Sequence, residues 1–172
     1  FNKKGAPWNF NIGDKVRVYG KKQEFGNGTE IEGLDAIQGT DDCLVRLIST
    51  GNALPPFYVG TTTSLNELPT NANGELYEGM LVRINSTPVT NQMKVARTVG
   101  LGTNAFLIVS NAAPSDSVFI DGNILTTYGT PALGTNISMV QGIYEQRARG
   151  YRIQLRDGND IVVATPPNVN DA

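Results

Sequence analysis

Histidine is absent from the 172 residues, and cysteine occurs once, at Cys43. Without histidine the chain lacks the commonest general base, the usual serine and cysteine triads and most zinc sites. One cysteine cannot form an intrachain disulfide, and its position at the start of the apolar run of residues 43–48 predicts a buried thiol. The sequence also has no Walker or Gly-x-Gly-x-x-Gly pattern for phosphate binding. We therefore predict a non-enzymatic protein without cofactor or metal.

Charged side chains are sparse: they make up 17% of the residues, against 40% for hydrophobic ones, with 19 glycines and 9 prolines. This composition is typical of short strands joined by many turns. The net charge of −2 gives no overall attraction to a phosphate backbone, so any nucleic-acid binding must be local. Because the chain contains no apolar stretch of about 18 residues, we predict no membrane-spanning segment.

Apolar and polar residues alternate with a period of two along much of the chain, which predicts an all-β fold. The predicted strands are rich in Val, Ile, Phe and Tyr, and turn pairs such as Asn73-Gly74 separate them. These strands are residues 15–19, 29–33, 43–49, 80–84, 94–99, 105–110, 117–121, 137–146, 151–155 and 160–164. A capping-box pattern at Ser64 and Glu67 predicts one short helix, which Pro69 ends.

The polar segment of residues 70–74 divides the chain into two predicted units, residues 1–69 and residues 75–165, followed by a tail at 166–172. Both units have the pattern of a strand, a glycine kink, a hairpin and a strand, although two hairpins can also match by chance. Glycines inside strands mark the bends by which a small barrel closes. With an offset of 122 residues, Val18, Gly20, Gly28 and Ile31 align with Val140, Gly142, Gly150 and Ile153.

Three stretches carry a resemblance to a known family: GDKVRVYGKKQEFGNGTEI at residues 13–31, GNALPPF at residues 51–57 and ELYEGMLVR at residues 75–83. They resemble the tandem OB-like domains that accompany endonuclease/exonuclease/phosphatase-type catalytic domains in secreted bacterial nucleases. The resemblance spans most of the chain, and YEGMLVR is its most specific part. It implies two small OB-like Greek-key barrels in tandem, in a protein that is extracellular or at the cell surface.

This sequence departs from the family in two ways, and both change the fold and activity that we expect. Its first barrel has strands upstream of the GDKVRV hairpin, whereas this chain begins at Phe1, where the last of them would finish. We therefore expect the first unit to lack its early strands and to expose unpaired strand edges, which pair readily with another chain. The catalytic domain that would follow the second unit is absent from the sequence, so the resemblance does not imply nuclease activity.

OB-like barrels bind single strands by stacking bases on exposed aromatic side chains flanked by cations. The candidate residues for binding nucleic acid or another ligand are Arg17, Tyr19, Lys21, Lys22, Tyr144, Arg147, Arg149, Tyr151 and Arg152. The alternative is a solvated hairpin whose tyrosines pack against the barrel and whose cations discourage aggregation. Phe1, Trp8 and Phe10 are candidates for self-assembly, because aromatic residues near a terminus pack it against a core, either its own or that of a neighbouring copy.

Two functional hypotheses remain open. The first is a non-catalytic extracellular module that binds a ligand such as single-stranded nucleic acid, or serves as an anchor, within a secreted nuclease-like protein. The second is a structural subunit of an extracellular filament, in which neighbouring copies complement each other's strands head-to-tail. Family resemblance favours the first hypothesis, and the incomplete first barrel favours the second.

Overall fold

The structure is a computed structural model that describes residues 9–32, 44–86, 92–98, 104–122 and 129–164. Strands dominate it, so the predicted all-β character is confirmed. The predicted self-assembly residues Phe1 and Trp8, the thiol of Cys43 and the tail at 166–172 lie outside the described residues. In the part of the chain that is described, no helix has the length and apolar character needed to cross a membrane.

The chain forms two compact units, Phe1–Pro56 and Phe57–Ala172. The described residues of the first unit form four strands in two antiparallel pairs, β1 with β4 and β2 with β3. They are β1 (Lys15–Tyr19), β2 (Lys21–Phe25), β3 (Gly28–Glu32) and β4 (Leu44–Ser49). The predicted linker of residues 70–74 lies within the second compact unit, and the division into units 1–69 and 75–165 stays a prediction.

In the second unit, the residues that the structure describes form eight strands and a one-turn helix. They are β5 (Tyr58–Gly60), α1 (Gly74–Tyr77), β6 (Leu81–Asn85), β7 (Met93–Arg97), β8 (Ala105–Ser110), β9 (Ser117–Asp121), β10 (Asn136–Arg147), β11 (Gly150–Gln154) and β12 (Ile161–Val163). The sheet order is β11-β9-β8-β7-β10-β6-β5, and β10 pairs in addition with β11 and β12. Because β10 pairs with both β7 and β11, the strands β10, β11, β9, β8 and β7 form a closed ring.

The interior of this ring is the hydrophobic core of the second unit. Phe106 and Ile108 of β8 belong to it, together with Ile137, Val140 and Tyr144 of β10. Strand β8 is buried on both faces, since Ala105 and Leu107 form a second buried cluster with Phe119. The strong period-two alternation of the sequence therefore becomes an inside and an outside of one sheet. The OB-like topology of the two units stays a prediction, since the structure supports only their all-β character.

The long strand β10 depends on a glycine at its centre. A side chain at Gly142 would overlap the backbone carbonyl of Gln154, because β11 passes close by at this point. Gly142 therefore lets β11 pair with residues 143–147 of the strand, while β12 pairs with residues 137–140 and β6 with residues 139–143. The close approach of β11 explains why a glycine stands here, and its predicted role as a bend of an OB-like barrel stays a prediction.

The predicted repeat is present in the backbone. The hairpin β2–β3 pairs Lys22 with Ile31 and Phe25 with Gly28. The hairpin β10–β11 pairs the residues 122 positions later: Tyr144 with Ile153, and Arg147 with Gly150. Strand β4 then pairs with β1 as β12 pairs with the first half of β10. The two hairpins are therefore the same unit in the same register, with β4 corresponding to β12.

The predicted helix at Ser64 and Glu67 is wrong. These residues form a turn, in which the Ser64 amide donates to Oγ1 of Thr61 at 3.1 Å. The Glu67 carboxylate accepts a hydrogen bond from Ser117 instead of closing a capping box. The helix lies later, at α1, where Gly74 leaves room for the ring of Tyr151. A local capping pattern is thus overridden by partners from distant strands.

Candidate functional site

The exposure of β1 distinguishes the first unit from its counterpart in the second. Val18 is 41% exposed, whereas Val140, its counterpart in the repeat, is 0% exposed. Ile31 is 52% exposed, against 0% for Ile153. Across residues 9–31 and 45–56, no large apolar side chain is buried. The same strand pattern that forms a core in the second unit leaves its apolar residues in contact with solvent in the first.

The difference follows from the strands that flank the repeated unit. In the second unit, one edge of β10 pairs with β11 and β12, and the opposite edge pairs with β6 and β7. In the first unit, β3 and β4 occupy the positions of β11 and β12. Among the described residues of that unit, no strand takes the place of β6 or β7. We call the corresponding edge, which runs from Arg17 in β1 to Lys21 at the start of β2, the open edge.

The two faces of the β1–β4 pair have different chemistry. Val16 lies opposite Leu47 and Val18 opposite Val45, so one face is apolar. On the other face Arg17 lies directly opposite Arg46, and both are exposed. Like charges in directly opposed positions repel each other. This pair of strands is therefore amphipathic, with a cationic face that has no carboxylate in the cross-strand position.

The predicted binding residues of the first unit are all exposed, but they do not form one cluster. Arg17 and Tyr19 share the cationic face, where Nη1 of Arg17 donates to the Tyr19 hydroxyl at 3.3 Å. Lys21 and Lys22 belong to β2, where neighbouring side chains point to opposite faces. Nζ of Lys22 lies 3.2 Å from a carboxylate oxygen of Glu24. Only Arg17 and Tyr19 are brought together by the fold.

The predicted binding tyrosines of the second unit lie in the core. Tyr144 and Tyr151 are buried and stack with ring centroids 5.3 Å apart and planes inclined by 8°. The Tyr144 hydroxyl donates to the carbonyl of Asn66 at 3.0 Å, and the Tyr151 hydroxyl donates to a carboxylate oxygen of Glu75 at 2.8 Å. Burial raises the pKa of both tyrosines above the ordinary value. These rings are not accessible for base stacking, because their faces pack against each other.

The predicted arginines of the second unit lie in separate environments. Arg152 forms an ion pair with Asp121, at 2.6 Å, and lies over the ring of Phe119. Arg147 forms two hydrogen bonds, of 3.1 and 3.2 Å, with the carboxylate of Glu145 on its own strand. Arg149 is exposed at the tip of the β10–β11 hairpin. The cations that the sequence suggested as a phosphate grip thus include two that are neutralised within the unit.

A cluster around Phe57 was not predicted from the sequence. The guanidinium carbons of Arg83 and Arg156 lie 4.4 and 5.4 Å from the centre of the Phe57 ring. Nε of Arg83 donates to Gln141 at 2.8 Å, and the Gln141 amide donates to Asp160 at 2.9 Å. Burial alone would raise the pKa of Asp160, but hydrogen bonds from Arg156 and Gln141 outweigh it and hold the pKa below its ordinary value.

No sequence signal could have identified this cluster, since its members come from four distant segments. Two arginines and one aspartate leave it with one excess positive charge, and its hydrogen bonds link Arg83, Gln141, Asp160 and Arg156 in one chain. Arg156 donates to Asp160 from both its side chain and its backbone amide. The arrangement fastens the turn at Gly158–Asp160 to strands β6 and β10, which is a structural role.

The remaining candidates concern the segment before β1. Phe10 is partly exposed, and Ile12 is 89% exposed. The next residue, Gly13, has a φ of 92° in a turn that the Asp14 amide closes on the Asn11 carbonyl at 3.0 Å. Within the described residues, no group of three or more Cys, Asp or Glu side chains is arranged to hold a metal ion.

The comparisons with known proteins do not extend these observations. The resemblance to the OB-like domains of secreted nucleases, with the extracellular location and the ligand that it implies, stays a prediction from the sequence. The search of family models, of curated proteins and of solved structures found no match to this chain.

Proposed function

We propose that the protein is a non-catalytic structural subunit that assembles with copies of itself through its first unit. One observation carries the proposal: the repeated strand unit is flanked by strands and buries a core in the second unit, but leaves Val16, Val18 and Leu47 exposed in the first. Fully burying such a side chain contributes roughly 1.5–3 kcal/mol. A partner that covers this surface would therefore gain a substantial free energy.

The arrangement of this surface favours pairing with another β-strand over nonspecific hydrophobic association. An open edge offers a row of backbone donors and acceptors, and the apolar side chains beside it add contact area. A subunit that offers such an edge and also supplies a strand to the next copy assembles head-to-tail, which produces a filament when the rotation does not close. Of the two functional hypotheses, the open edge favours the structural subunit of a filament.

The proposal is tested by measuring the size of the assemblies that the unaltered protein and two single variants form. We expect the protein to form large assemblies in size-exclusion chromatography with light scattering, and fibres in negative-stain electron microscopy. Val18→Lys should reduce them to monomers, because a lysine would be buried at the interface without a partner. Val162→Lys is the matched control, since Val162 is 45% exposed on β12 of the second unit, and it should leave assembly unchanged. A monodisperse monomer of the unaltered protein at high concentration would overturn the proposal.

Single-stranded nucleic acid is the second candidate partner, supported by the cationic face of β1 and β4. Arg17 and Arg46 oppose each other across the strands, with Tyr19 beside them, and an anion between the two guanidinium groups would relieve their repulsion. The buried tyrosines of the second unit do not add to this surface. Binding would thus be confined to one small area.

Fluorescence anisotropy with a labelled oligo(dT) tests this second candidate. We expect micromolar or weaker binding at low salt that falls steeply as salt is added, because phosphate contacts release counterions. Replacing both arginines, Arg17→Gln with Arg46→Gln, should weaken binding at least tenfold. The matched control is Arg147→Gln, which removes an arginine already paired with Glu145. Salt-independent binding, or equal binding by the double variant, would remove the candidate.

A further inference from the structure

We infer that the strand missing from the open edge is residues 7–11 of a second copy, paired antiparallel to β1. This inference rests on the proposed self-assembly and names the partner segment and its register. The second unit supplies the template, because its strand β6 already occupies the equivalent edge of β10. Since the two hairpins share one register, the template can be transferred by subtracting 122 residues.

The template specifies which side chains the incoming strand must carry. Strand β6 runs antiparallel to β10, with Val82 opposite Gly142 and Ile84 opposite Val140. Both valine and isoleucine are buried, whereas Leu81, Arg83 and Asn85 on either side of them are not. In the first unit the same positions are Gly20 and Val18. The incoming strand therefore needs two apolar residues, at its second and fourth positions.

Residues 7–11 have this pattern. Their sequence, Pro-Trp-Asn-Phe-Asn, aligns with the Leu-Val-Arg-Ile-Asn of β6, with apolar residues in the second and fourth places and polar ones in the third and fifth. Trp8 would face Gly20, where an aromatic ring can cover the glycine, and Phe10 would face Val18. The proline falls at the first position of the strand, where its missing N–H is tolerated.

The turn before β1 would not return residues 7–11 of the same chain to the open edge in this register. Residues 11–14 form the turn that joins the segment to β1, and its third residue, Gly13, has a positive φ. A turn with a positive φ only at its third residue makes the flanking strands diverge instead of pairing. The Asn11 amide donates to the Asp14 side chain, at 2.8 Å, and not to its carbonyl. Folding back across this two-residue turn would place Trp8 opposite Arg17, on the cationic face. Shifting the pairing by one residue exchanges the two faces of a strand, so residues 7–11 of the same chain, folded back across this turn, would place their asparagines on the apolar face.

Disulfide trapping between two singly substituted proteins tests the register. In the proposed pairing Asn9 of one copy lies opposite Tyr19 of the next, and directly opposed residues have Cβ atoms close enough for a disulfide. Both proteins carry Cys43→Ser, and one has Asn9→Cys and the other Tyr19→Cys. After mixing and mild oxidation, we expect a heterodimer at least tenfold more abundant than with the matched control acceptor Leu133→Cys, which is exposed in the second unit.

Two outcomes separate this inference from the proposed function. Assemblies that form while the heterodimer stays at the control level would overturn the donor segment and leave self-assembly standing. Absence of any assembly by light scattering, before oxidation, would overturn both. Because Asn9 and Tyr19 are exposed, the variants should fold, and their assembly before oxidation is measured in the same experiment.

Discussion

At the scale of single residues, the second unit contains buried polar groups that hydrogen-bond to one another beside its hydrophobic core. Asp160 is the clearest case, because it is fully buried and accepts hydrogen bonds from Arg156 and Gln141. Gln141 in turn holds Arg83 against Phe57. A buried carboxylate is tolerated only with such partners, so each member of this network depends on the others.

Replacing this carboxylate should lower stability in a pH-dependent way. Asp160→Asn should cost about 1.5–3 kcal/mol at pH 7, because hydrogen bonds to a charged group are lost. The folded protein holds the pKa of Asp160 below its ordinary value of 3.8, so the stabilisation is present above that pH and is lost as the pH falls through the lower, folded-state pKa. Urea unfolding at pH 7, 5 and 3 should therefore show the variant and the unaltered protein converging at the lowest pH.

The matched control for this prediction is Asp157→Asn. Asp157 is exposed and caps the following turn through the Asn159 amide, and asparagine caps equally well. It should change the free energy of unfolding by a few tenths of a kcal/mol at most, as expected for an exposed site. An equal loss in both variants would show that the buried network does not carry the effect.

At the scale of strands and hairpins, the geometry of the repeated unit requires the backbones of neighbouring segments to approach each other closely. Gly142 lies where β10 bends under β11, and Gly150 begins β11 with a φ of 120°. A side chain at Gly150 would also overlap the carbonyl of Glu67. These glycines are therefore needed for space, in addition to the conformational freedom of Gly150.

An alanine at the bend should destabilise the hairpin. Gly142→Ala should lower the free energy of unfolding by about 1–3 kcal/mol or more, because the added methyl group overlaps the Gln154 carbonyl and the Ile153 side chain. Gly158→Ala is the control, since a methyl group there meets no atom within 4 Å. Chemical denaturation followed by tyrosine and tryptophan fluorescence compares the two. A loss for Gly158→Ala as large as that for Gly142→Ala would contradict the role given to the bend.

At the scale of the whole molecule, two copies of one strand unit have different surroundings. The second unit adds β6, β7, β8 and β9 to its copy and buries a continuous core. The described part of the first unit keeps the hairpin and β4 but leaves the apolar face exposed. Small units with little buried surface are marginally stable alone, so the first unit should gain most of its stability from a partner. Self-assembly and folding of this unit would then be one coupled process.

Much of the strand pattern could be predicted from the sequence. Three predicted strands, at 15–19, 105–110 and 117–121, have the observed bounds, and the register of the repeat followed from four aligned positions. Strand β5 was missed, because three residues are too few to show alternation. The predicted capping box at Ser64 does not form, because the Glu67 carboxylate accepts a hydrogen bond from Ser117 on a distant strand.

The sequence by itself determined most of the strands, the turns between them and the hairpin register, because alternation and turn glycines act through neighbouring residues. Only the tertiary structure decided which side chains are available. Tyr144 and Tyr19 both looked like surface aromatics, yet the first is buried and the second exposed. The Phe57 cluster likewise joins segments far apart in the chain. Whether a side chain is buried depends on which distant strands pack beside it, and the residues next to it in the sequence do not determine that arrangement.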